Sequence, residues 1–139
     1  MNDKHLTQTR FSNLELSDSI LRSLNEAHFN HCTPIQDKAL SLLLRGKDIA
    51  GQAQTGTGKT ATFLLATFQH LINEIEYEQE DHIHYDDDDE DDDFIEKPVA
   101  DAKLAQSSPV KYPRAIILAP TRELAIQIHK DALLLSKHL

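Results

Sequence analysis

Lys59 and Thr60 close the run Ala53-Gln54-Thr55-Gly56-Thr57-Gly58-Lys59-Thr60, in which two glycines are followed by an ammonium and a hydroxyl. That order of residue types suits phosphate. Gly56 and Gly58 lack the Cβ that stops backbone N–H groups from turning inward, and a helix starting after them aims the positive end of its dipole at the same anion. Lys59 supplies a point charge near the β- and γ-phosphates of a nucleoside triphosphate, and the Thr60 hydroxyl is suited to ligate Mg2+ carried on those phosphates. Gln54, Thr55 and Thr57 complete the loop. The general pattern opens with glycine where this chain has Ala53. A Gly/Thr-rich turn before a helix is the plain alternative, but it does not call for the Gly-Lys-Thr ending.

A loop of this kind needs a strand before it and a helix after it. The apolar stretch from Asp48 to Ala53 is read as the strand, and the amphipathic run from Lys59, with Leu64, Phe68, Leu71 and Ile72 on one face, as the helix. Two helices are expected upstream. The first has Ser17 as cap and apolar positions Ile20, Leu21, Leu24 and Ala27, ending near His28. The second opens on Thr33-Pro34-Ile35-Gln36, where Thr33 at the N-cap and Gln36 three residues on form a capping box, and Gly46 stops it. Downstream, Arg114 to Ala119 reads as a buried parallel strand, followed by a helix with Ala125, Ile128, Ala132 and Leu135 at core spacing. The βαβα order implies an α/β fold with a parallel sheet, and ligands collect at the C-terminal ends of its strands.

The net charge of −9 would disfavour a nucleic-acid partner if it were evenly spread. Fourteen acidic residues and one basic residue lie between Glu74 and Lys97, leaving nine acidic against thirteen basic elsewhere, a net of +4. The acidic run Asp86 to Asp93 repels itself and is poor in apolar residues, so a disordered insert is expected at about 73–112. Residues 1–10 are expected to be a flexible tail. No apolar run is long enough to cross a membrane. A single cysteine, Cys32, fits a reducing cytoplasm, and with His28 and His31 it lacks the spacing of a zinc site, so no protein metal site is assigned.

Phe11, the stretch Phe29 to Gln36, the loop Ala53 to Thr60 and the run Pro120-Thr121-Arg122-Glu123-Leu124-Ala125 together resemble, in order, the Q motif with its upstream aromatic, motif I and motif Ia of DEAD-box RNA helicases. Ala53 matches the family's own variant of the loop. The resemblance covers Phe11 to Ile72 and Arg114 to about Leu139, and implies an incomplete N-terminal RecA-like domain over 11–139. It further implies that Gln36 reads the adenine edge, with Thr33 fixing the motif and Phe29 and Phe11 packing at the base, so that ATP is taken over GTP. The chemistry agrees, because a glutamine amide offers the donor and acceptor that adenine N7 and N6 require. The capping box alone is the plain reading of Gln36. His28 stands where the family usually has glycine.

By the same resemblance Pro120, Thr121 and Arg122 contact the RNA backbone, and a bidentate arginine is suited to that task. RNA and RNA-degradation machinery are the implied partners, and the acidic insert offers itself to basic partners. The sequence holds no Asp-Glu-Ala-Asp run, so the site of Lys59 and Thr60 is expected to be half of a hydrolytic centre. Nucleotide binding without turnover is therefore expected of this chain. A stand-alone nucleotide- or RNA-binding module and an acidic interaction protein are the alternatives. With two strands at most, the chain is expected to expose apolar surface and to aggregate readily.

Overall fold

The computed structural model describes residues 6–80 and 112–139, with side chains described throughout except at 78–80. Four helices organise these residues: α1 (Asp18–Glu26), α2 (Pro34–Leu43), α3 (Lys59–Glu80) and α4 (Arg122–Leu135), with a short 3-10 turn at Phe11–Asn13 before them. α3 is the central element, packed against α2 and α4 and touching α1. Its fully buried Leu64 and Leu65 meet Ile20 and Leu24 of α1, Leu40 of α2, and Ile128 and Leu135 of α4 in one apolar cluster. Each such leucine or isoleucine contributes on the order of 2 kcal/mol through burial, so α3 acts as the spine of the fold.

Helix boundaries follow local chemistry. At α2 both halves of the capping box form: the Gln36 N–H reaches Thr33 Oγ1 at 3.5 Å and Gln36 Oε1 accepts the Thr33 N–H at 2.8 Å. Gly46, at φ +71°, ends that helix as its position implied, with N–H groups of Gly46 and Lys47 returned to carbonyls of Leu43 and Leu42. α1 closes in the same way. Phe29 N–H bonds Leu24 O at 2.8 Å and His28 N–H bonds Asn25 O at 3.0 Å, which forces His28 to φ +61°. The glycine expected there by resemblance would adopt that angle freely, whereas histidine adopts it under strain.

Several expectations are corrected. Ser17 stands at the N-cap of α1 but makes no side-chain cap; its N–H is held instead by Gln69 Oε1 of α3 at 2.6 Å. The third helix continues through Asn73 to Glu80, so residues 73–80 of the expected insert are helical, and residues 81–111 of it lie outside the described residues. Residues 6–10 are not a loose tail. Thr7 N–H reaches Cys32 O and Cys32 N–H reaches Thr9 O, each at 2.8 Å, and Arg10 pairs with His31 in an isolated antiparallel bridge. Residues 1–5 lie outside the described set.

Neither expected strand forms among the described residues. Residues 48–53 and 114–119 carry the right apolar composition but no ladder, and Ile116 and Leu118 are 75% and 89% exposed. A strand exists only where a neighbouring chain takes its N–H and C=O groups, and these two segments do not supply one another. The roots of the insert are nonetheless clasped: Arg114 Nε and one terminal guanidinium nitrogen bond Glu74 Oε2 at 3.0 and 2.7 Å.

Candidate functional site

The phosphate-loop sequence bends because two of its residues take the left-handed region, Gly56 at φ +79° and Gly58 at φ +90°. A Cβ on Gly56 would meet nothing, so backbone angle alone selects glycine there. At Gly58 a Cβ would fall 2.5 Å from Gln36 Nε2 and 3.2 Å from Thr33 Oγ1, so both the angle and the close approach require glycine.

That approach is the central feature of the site. Thr33 Oγ1 donates to the carbonyl oxygen of Thr57 at 2.8 Å, and Gln36 Nε2 donates to that of Gly58 at 3.4 Å. The capping box that starts α2 therefore also grips the loop that starts α3. Gln36 is 5% exposed, and a buried amide of this kind must have its polar atoms satisfied. Oε1 is engaged by Thr33 and Nε2 by Gly58, which leaves one acceptor position and one N–H on the same amide.

Within the loop, Thr57 Oγ1 donates to Gln54 O at 2.8 Å. The Lys59 ammonium turns back onto the carbonyl oxygens of Ala53 and Gln54. Thr60 lies in the first turn of α3, half-buried. Thr62 was not singled out from the sequence, yet it is 4% exposed and its hydroxyl donates to Gly58 O at 2.9 Å, adding a third donor to that carbonyl beside its own N–H and Gln36. A helical threonine four residues after the last loop glycine was the available signal.

A cavity of about 900 Å3 is lined by Phe29, Thr33, Gln36, Thr55, Gly56, Gly58, Lys59 and Thr60, and extends over an apolar wall that includes Ala39, Ile49, Leu118 and Ile128. The structure thus brings together most of the expected base-side and phosphate-side residues. Phe29 is 38% exposed and available to a ligand face. Phe11 is not brought to this cavity: it is 3% exposed and part of the core cluster. Pro120, Thr121 and Arg122 stand apart at the start of α4, all exposed. Thr121 Oγ1 accepts the Leu124 N–H at 3.2 Å, so it caps the helix and keeps its hydroxyl proton to donate.

Cys32, fully buried, lies beside this region. Burial, with a smaller contribution from the Asp37 charge, pushes its thiol up to about 11. Burial thus favours the neutral thiol over the thiolate at neutral pH.

A sequence profile described as DEAD/DEAH box helicase matches residues 33–139. Over 138 residues the chain is 49% identical to the ATP-dependent RNA helicase RhlB of Shewanella amazonensis, covering 99% of this chain and 25% of the relative. The protein of the same name from Shewanella baltica is 46% identical over 138 residues with the same coverage. The chain thus spans about a quarter of the length of the curated relatives it matches. Among solved structures, a DEAD box protein from Methanococcus jannaschii aligns with TM-score 0.60 at 29% identity, over 91% of this chain and 25% of that one. S. cerevisiae Dbp5 bound to Gle1 and IP6 aligns with TM-score 0.62 at 26% identity, over 96% and 26%. These likenesses support the RecA-like class inferred from motif order, although its sheet is not formed among the described residues.

Proposed function

The chain belongs to the DEAD/DEAH box helicase family, and from that membership we propose that it carries the ATP site and part of the RNA-contacting surface of an ATP-dependent RNA helicase. The observation that carries the reading is the grip of Thr33 and Gln36 on the carbonyls of Thr57 and Gly58. It joins a base-reading amide to a phosphate-binding loop in one hydrogen-bonded unit.

The residues fit a nucleotide with its Mg2+. Gly56 and Gly58 keep the loop free of Cβ atoms, and the Lys59 ammonium rests on neutral carbonyls that an anionic phosphate oxygen outcompetes. Gln36 reads adenine with the acceptor and donor positions its structural bonds leave over, which favours ATP above GTP. Phe29 packs on the base, and Gln54, Thr55 and Thr57 shape the loop. Lys59 holds the outer phosphates and Thr60 provides the hydroxyl for Mg2+. Bound Mg2+ neutralises phosphate charge. Pro120, Thr121 and Arg122 hold the RNA backbone, Arg122 by charge and Thr121 through its free hydroxyl proton.

We assign nucleotide and RNA contact to this chain. ATP turnover and duplex separation belong in this proposal to the longer proteins of the family, because no Asp-Glu-Ala-Asp run occurs in these 139 residues. RNA-degradation machinery in the cytoplasm is the protein partner we propose. Among the described residues no helix is long and apolar enough to cross a membrane.

Displacement of a fluorescent ATP analogue from the full chain tests the reading. ATP is expected to displace it at least about tenfold more effectively than GTP. Gln36→Glu, which keeps the capping acceptor but loses the donor, is expected to abolish that preference. Equal displacement by GTP from the unaltered chain would defeat the proposal.

A further inference from the structure

A second cavity, of about 660 Å3, shares Phe29 with the first and is lined by residues of the turn at Phe11–Asn13 and of α1. Its polar lining is donor-rich: Arg10, Arg22, Asn25, Asn30 and His31 contribute, and no carboxylate does. Its apolar lining includes Phe11 and Leu24 of the core. Arg10 is positioned by the backbone bridge to His31, and Arg22 by α1.

Among the described residues neither guanidinium has an ionic partner. Glu26, one helical turn after Arg22 and its natural partner, is held by the other end of the chain: Oε2 accepts from Lys137 Nζ at 2.6 Å and Oε1 faces His138 Nε2 at 2.8 Å. Two forked cations lining one cavity, without an ionic partner among the described residues, attract an anion that fits the fork, and phosphate does so bidentately. The volume far exceeds that of one phosphate group, and the aromatic wall suits an organic body.

We propose that this cavity is a second ligand site, distinct from the phosphate loop, for a small phosphate monoester of nucleotide size, its phosphate on Arg10 and Arg22. Phe29, Asn30 and His31 line both cavities, so an occupant here touches the wall of the nucleotide site. The proposal rests on Arg10 and Arg22 rather than on Lys59 or Gln36, so it stands or fails separately from the ATP reading.

The probe is cytidine 5′-monophosphate, whose base lacks the adenine edge. Titrated into the isotopically labelled full chain, it is expected to shift the amide signals of Arg22, Asn25 and His31. Those shifts persist in Lys59→Ala and are lost in Arg10→Gln/Arg22→Gln, whose altered side chains are exposed and leave the thermal transition in place. Shifts confined to residues 53–60, or no shifts at millimolar ligand, overturn the site. An oligocytidylate without a terminal phosphate that shifts the same signals while the monophosphate does not also overturns it, since the cavity then reads a nucleic-acid strand.

Discussion

The hydroxyl of Thr33 donates to the carbonyl of Thr57 at 2.8 Å while its oxygen faces the Gln36 N–H at 3.5 Å, so one side chain both caps α2 and anchors the loop ahead of α3. The start of one helix and the shape of the loop before another are therefore one structural decision.

Thr33→Val keeps the shape and removes both bonds. Loss of the cap and of a part-buried donor is expected to cost about 1–2 kcal/mol, read as a lowered denaturation midpoint. Thr33→Ser restores both bonds and is expected to recover most of the loss. A valine variant as stable as the parent would show that the anchor is incidental.

The two loop glycines separate two costs. Gly56→Ala meets only an unfavourable backbone angle, about 1–2 kcal/mol. Gly58→Ala adds a methyl 2.5 Å from Gln36 Nε2, which must break the amide's bond to the loop. Gly58→Ala is expected to weaken nucleotide binding and stability more than Gly56→Ala in parallel titrations and melts; the reverse order contradicts the close-approach argument.

His28 holds φ +61° at the close of α1 with its side chain exposed. His28→Gly relieves that strain against a smaller gain in unfolded-chain entropy, for an expected net stabilisation of about 0.5–1 kcal/mol by denaturant unfolding. A destabilised glycine variant would mean that the imidazole makes a compensating contact.

At the other end of the chain, the hydrogen bond from Lys137 and then the close approach of His138 lower the Glu26 carboxyl below its usual value of 4.5. A depressed carboxyl contributes stability above its unfolded pKa and loses it as pH falls through the folded value. The α1 to C-terminus clasp is expected to hold at neutral pH and to release below about pH 4.5, followed by the Glu26 carboxyl resonance. Glu26→Gln is expected to flatten that part of the acid limb.

Cys32 titrates in the opposite sense. Its thiol is raised to about 11, so the folded chain binds the proton more tightly than the unfolded one, and stability falls as pH rises from about 9 towards that value. A thiol reagent at neutral pH is expected to label Cys32 at the rate of unfolding; rapid labelling of the native chain would contradict the burial.

The clasp between Glu74 and Arg114 illustrates what neither residue announces alone. Forty positions separate them, their side chains are 36% exposed at Arg114 and 56% at Glu74, and such a pair contributes only about 0.5 kcal/mol, yet it holds together the two roots of the acid-rich segment.

Capping boxes, helix stops and left-handed glycines are decided within about four residues, which is why Thr33, Gln36, Gly46 and the Gly56 to Thr60 loop were legible in the sequence. The family was legible for the same reason, because its motifs are short and ordered. Tertiary structure decided whatever depended on a distant partner. It brought Thr33 and Gln36 to the carbonyls of Thr57 and Gly58, tied Thr7 and Thr9 to Cys32, put Phe11 in the core and left Arg10 and Arg22 without an ionic partner among the described residues. It also left residues 48–53 and 114–119 without a ladder. Apolar composition records a preference for burial, whereas a strand is made by the neighbour that accepts its hydrogen bonds, and that neighbour is not written in the strand's own residues.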